Sequence, residues 1–71
     1  MDSDKIEQIY NMIHPSLRGN THSYTDINDI TYDGSLKLHK SAGGIITISY
    51  PTLRLMLGQY NVGEIFNIMN I

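Results

Sequence analysis

The residues of this chain that could do chemistry are three histidines, seven carboxylates and a scatter of serines. His14, His22 and His39 stand among Asp26, Asp29 and Asp33, the only set from which a metal site could be drawn. Zinc needs three or four ligands converging at about 2.0–2.2 Å, usually with recognisable local spacing. Only His22 and Asp26 are close in sequence, and in a loop four residues apart they have no helix to align them. Solvated loop histidines are the reading this spacing supports, and no metal is assigned.

Nucleophilic and carboxylate chemistry fare no better. A serine hydrolase brings Ser, His and Asp together beside an oxyanion hole, and no nucleophile elbow occurs in the sequence. Glycoside chemistry needs two facing carboxylates, but Glu7 and Glu64 each fall where a helix capping box would place them. Ser41-Ala42-Gly43-Gly44 is glycine-rich, yet it lacks the Lys-Ser/Thr of a phosphate loop and lies between strands. The chain therefore reads as non-enzymatic, with no cofactor and no small-molecule substrate.

Hydrophobic spacing defines the elements that carry these residues. Asp4 reads as an N-cap with Glu7 reciprocal to it. Ile6, Ile9, Tyr10 and Ile13 form one helical stripe, which His14-Pro15 ends. The spacing predicts a helix over about 4–13, then a polar loop over 14–26. Such a loop is long for so small a domain, and Arg18, His22 and Tyr24 are its candidate recognition residues. Three strands follow at about 27–32, 35–40 and 45–50. A three-residue loop with Gly34 in the left-handed region pairs Ile30 with Leu36 and sets Asp29 opposite Lys37. A similar turn at Ser41-Ala42-Gly43 pairs Leu36 with Ile48 and Leu38 with Ile46. One face then carries Ile30, Leu36, Leu38, Ile46 and Ile48. The other carries Asp29, Thr31, Lys37, His39, Ile45 and Thr47.

Two short helices are expected at about 51–57 and 62–69. Ser49 or Tyr50 caps the first, Pro51 suits its opening turn and Gly58 stops it. Asn61-Val62-Gly63-Glu64 reads as a second capping box, with Tyr60 and Ile65 as a hydrophobic staple. The expected fold is a single α+β domain in the order α-β-β-β-α-α, a three-stranded antiparallel meander with helices packed on one face.

That layout is shared with double-stranded RNA-binding domains, which hold phosphates largely through basic residues near the last helix. Here no Lys or Arg follows Arg54. A helix-turn-helix over 51–69 meets the same objection, because its second helix offers Glu64, Asn67 and Asn70 but no cation for the major groove. The net charge of −2 gives no basic footprint of the kind that counterion release requires. Nucleic acid is thus the weaker alternative, with Arg54, Lys37 and Lys40 as its contacts.

What remains is the C-terminal third. Charged side chains crowd the first forty residues, and beyond them only Arg54 and Glu64 occur. The apolar residues there are too many for one buried stripe per helix: Leu55 and Phe66 are offset from their neighbours. Interface cores are enriched in Tyr, Phe and Met and depleted in charge. Leu55, Tyr60, Phe66 and Met69 are therefore the candidate partner-binding residues, facing a second copy of the chain or a larger protein target.

Length and composition favour the same expectation. At 71 residues a domain buries only about 60% of the surface its unfolded chain exposes. Natural domains of this size often add a disulfide, a metal or a second subunit, and without cysteine the first is excluded. No signal peptide and no membrane span is read, so a cytoplasmic location is expected, in a host cell if the gene is viral. Isoleucine, asparagine and tyrosine are abundant, whereas Ala42 and Val62 are the sole alanine and valine. This bias suggests an AT-rich genome, compatible with a phage or mobile-element accessory factor acting as an inhibitor or adaptor.

Overall fold

The computed structural model describes residues 3–71, with the side chains of Leu57, Gln59 and Tyr60 excepted. The chain begins with helix α1 (Ser3–Met12), passes through two 3-10 turns (Pro15–Leu17 and Tyr24–Asp26), and enters strands β1 (Ile27–Tyr32), β2 (Ser35–Lys40) and β3 (Ile45–Ser49). It closes with helix α2 (Tyr50–Met69). The sheet is antiparallel in the order β1-β2-β3. Its radius of gyration of 10.9 Å is close to the roughly 11 Å of a single compact domain of this length. The fold is α+β, as the order of sequence signals predicts.

The apolar stripe of α1 is buried as its spacing requires: Ile6, Ile9, Tyr10 and Ile13 all lie in the core. Ser3 is already helical, so Asp4 is in the first turn rather than at the cap. There its charge complements the positive end of the helix dipole.

Parity within the sheet follows the sequence, but one register does not. Leu36 faces Ile48 and Leu38 faces Ile46, as expected. Between β1 and β2, however, Ile30 pairs with Leu38 and Tyr32 with Leu36, while Asp29 lies opposite His39 instead of Lys37. The hairpin closes over Asp33-Gly34-Ser35, with the Asp33 N–H donating to the Ser35 C=O at 3.0 Å. Gly34 is left-handed, as foreseen, yet the strands are displaced by two residues from the predicted pairing. A two-residue displacement keeps every side chain on its own face, so the apolar set survives the error. Between Ile27 and Asp29 the register slips. The slip lets Ile27 join Ile30 in the core although the two differ in parity.

Both helices pack on the face bearing Ile30, Leu36, Leu38 and Ile48, and all buried residues form one cluster with Leu53, Val62 and Ile65 of α2. Among the described residues, no helix covers the opposite face, where Asp29, Thr31, Lys37, His39, Ile45 and Thr47 are half-buried or exposed. There the Thr31 hydroxyl and His39 Nε2 are hydrogen-bonded at 2.9 Å.

The two predicted C-terminal helices are one element broken at Gly58, whose φ of 78° and ψ of 161° are not helical. Ser49 caps its start, its side chain accepting from the Thr52 N–H, and Pro51 occupies the first turn. The second segment resumes directly after Gly58, so Asn61 lies inside the helix instead of capping it. The Tyr60–Ile65 staple falls on a side chain outside the described residues. Asn70, left-handed at φ 61°, ends the helix, and the Ile71 N–H returns to the Phe66 C=O at 2.9 Å.

Candidate functional site

Two regions carry the residues singled out by the sequence: the loop before β1 and the surface of α2. The loop is built on Tyr10. Its hydroxyl lies 3.3 Å from the Thr21 hydroxyl, and its ring carries the Arg18 guanidinium at 4.3 Å from the centroid. Arg18 Nε also donates to the Ile13 C=O at 2.9 Å, taking up a carbonyl just past the end of α1. Arg18 is therefore committed to holding the loop against α1. His14 accepts from the Ser16 N–H and opens the first 3-10 turn.

Ser23 and Asp26 form a capping box around the second turn. The Asp26 carboxylate accepts the N–H of His22 at 2.6 Å and of Ser23 at 3.1 Å. These two backbone donors, the His22 amide first, hold its pKa below the usual carboxylate value, with smaller help from the charges of His22 and Lys40. The His22–Asp26 spacing noted in the sequence thus serves a turn. The signal for it was the pattern Ser23-Tyr24-Thr25-Asp26, which reading the segment as aperiodic overlooks.

Beside this turn lies a cavity of about 280 Å³, lined in part by Asn20, His22, Asp26, Lys40 and Ser41. Its walls are bonded to one another: Lys40 Nζ donates to Asn20 Oδ1 at 3.0 Å, and the Ser41 N–H to the Asp26 C=O at 2.7 Å. Of the three loop residues, only His22 is exposed; Arg18 and Tyr24 are half-buried. Among the described residues, no three of His, Asp or Glu gather as metal ligands do.

The α2 surface has a different character. Leu53 is fully buried, while Leu55 is 84% exposed. Two residues of helix turn the side chain by about 200°, so Leu55 points away from the core that Leu53 fills. Met56, beside it, is 38% exposed. Phe66 and Met69 are half-buried and pack against the core. The Phe66 ring meets Tyr32 edge-on at 4.9 Å and stacks near Tyr50 at 6.5 Å, tying the second segment of α2 to the sheet. The Tyr60 side chain lies outside the described residues. Of the three candidate residues whose side chains are described, Leu55 is thus the one presented to solvent.

The three cations expected to contact nucleic acid are divided between β2 and α2. Lys37 sits on the helix-free face of the sheet, Arg54 on α2, and Lys40 is bonded to Asn20. Among the described residues no helix is long and apolar enough to cross a membrane. Comparisons with protein-family models, with curated proteins and with solved structures find no match.

Proposed function

We infer that this chain is a non-enzymatic protein-binding module that docks through α2, as a small inhibitor or adaptor in the cytoplasm. The observation that carries this reading is Leu55, 84% exposed beside Met56 on a stretch of helix where Arg54 is the sole charge before Glu64. An exposed leucine alone is ordinary. Here it belongs to a run of side chains poor in charge and rich in Leu and Met, as interface cores are. Methionine suits such a surface because its flexible thioether adapts to an irregular partner. Phe66 and Met69 support the contact by fixing the second segment of α2 on the sheet.

The test uses Leu55→Asp. The side chain touches solvent, so the variant keeps the wild-type melting temperature within error. Wild-type and variant chains are immobilised in parallel and exposed to lysate of the native cells, and bound proteins are quantified. A protein retained by the wild type and lost with Leu55→Asp supports docking through α2. Equal retention on both, or none on either, rejects it.

A further inference from the structure

The outer edge strand β3 carries none of the usual guards in its own sequence. The order β1-β2-β3 leaves two edges, and natural sheets blunt theirs with bulges, charges, proline or short strands. At β1 the register slips beside Asp29. β3 reads Ile45-Ile46-Thr47-Ile48-Ser49, with no charge and no proline, and pairs with β2 without a slip from Ser49 to Ile45. At five residues it is of ordinary strand length.

The phase of the ladder identifies the free backbone groups. The Lys40 N–H donates to the Gly44 C=O at 3.0 Å. Bonded and non-bonded pairs alternate along an antiparallel ladder, so Leu38–Ile46 and Leu36–Ile48 are the bonded pairs. Ile45, Thr47 and Ser49 therefore turn their backbone groups away from β2. Among the described residues, no turn or loop backbone bond reaches Ile45 or Thr47.

We propose that β3 pairs antiparallel with β3 of a second copy of this chain, about a two-fold axis at Thr47, joining two sheets into one. The strand is complementary to itself in one register. With Thr47 opposite Thr47, Ile45 meets Ser49 and Ile46 meets Ile48. All three outward residues then oppose outward residues: the two threonines exchange both bonds, and each Ser49 N–H donates to the opposite Ile45 C=O. On the helix-covered face Ile46, only half-buried in the single chain, gains the Ile48 of the other copy. A slip of one residue would oppose outward groups to groups already committed to β2, and a slip of two would lose a pairing. No charged side chain lies on either strand to repel its twin. This self-match selects a second copy as the occupant, through the isologous contact of a two-fold dimer. The contact involves a different element from the α2 surface and does not rest on it.

Analytical ultracentrifugation and amide hydrogen exchange of the full chain test the pairing. The wild type sediments at twice its 8.0 kDa, with the Thr47 amide protected from exchange. Thr47→Lys sets two ammonium groups against each other at the axis. It yields a monomer with unchanged circular dichroism and a Thr47-position amide that exchanges freely. Thr47→Pro, which deletes the outward donor while sparing the ladder to β2, does the same to the mass. Should Thr47→Lys fail to fold, Thr47→Pro and the wild-type exchange pattern decide. A wild type that stays monomeric at the highest accessible concentration overturns the proposal. So does a dimer that survives both substitutions, or one abolished by Leu55→Asp.

Discussion

Asp26 shows how much of this small fold hangs on single polar side chains. Its carboxylate gathers the His22 and Ser23 amides and ends the loop where β1 begins. Those donors favour the ionised form, so its pKa in the folded chain is depressed below the ordinary 3.8. A depressed carboxylate contributes stability that is present above the unfolded pKa and lost as pH falls through the folded one. The melting temperature should therefore drop as pH is lowered from about 5 towards 2, the range over which such a carboxylate is neutralised. Asp26→Asn keeps an acceptor oxygen but removes the charge, and its melting temperature should fall less over that range, from a lower plateau. Thermal melts of both proteins across the series check this; equal acid-side slopes would show that Asp26 is not the group responsible.

Among the elements, α2 depends most on one conformation. Gly58 sits at φ 78° and ψ 161°, a region open essentially to glycine alone. Nothing lies within 4 Å of where its Cβ would be, so any cost of a side chain there is backbone strain. Gly58→Ala should destabilise the fold by about 1–3 kcal/mol. The alternative, a straightened helix, would draw Val62 and Ile65 from the core and be no cheaper. Gly63 is the control: it is helical, exposed and equally open. Gly63→Ala should stabilise by about 0.5–1 kcal/mol, because alanine is the better helix former. Urea titrations of the two variants should move in opposite directions, and a shared direction would contradict the break.

That break was legible in the sequence, as were the face of every strand and the stripe of α1, because each follows from a local period or a local residue preference. The displaced β1–β2 register was not. Pairing Ile30 with Leu36 and pairing it with Leu38 both join two aliphatic residues on one face, and only the closure at Asp33-Gly34-Ser35 selects between them. The start of the second helical segment was misplaced for a related reason. Asn61-Val62-Gly63-Glu64 is a sound cap in isolation, but Gly58 already turns the chain, and helix can resume at once. At the candidate surface, the exposure of Leu55 followed from its offset from Leu53. The anchoring of Phe66 by Tyr32 and Tyr50 depends on contacts between distant parts of the chain that no local spacing encodes.

At the scale of the whole molecule, α1, all three strands and both segments of α2 feed one buried cluster, so no element has a core of its own. Domains gain only about 0.05–0.15 kcal/mol of net stability per residue, roughly 4–11 kcal/mol for the 71 residues of this chain. Leu38 is fully buried at the centre of that cluster, on the middle strand. Cutting a buried leucine to alanine removes its transfer energy and leaves a cavity, about 2–5 kcal/mol together. Leu38→Ala should therefore cost a large part of the total, lowering the urea midpoint by about a fifth or more at constant protein concentration. Because the cluster is shared, loss of helix and loss of tertiary packing around the tyrosines should coincide in one transition, in the wild type and in the variant. Far-ultraviolet circular dichroism and tyrosine fluorescence, followed through the same titration, provide the measurement. Two separated transitions would mean that the segment after Gly58 comes away alone, taking Val62 and Ile65 with it, and the single-core account would then fail.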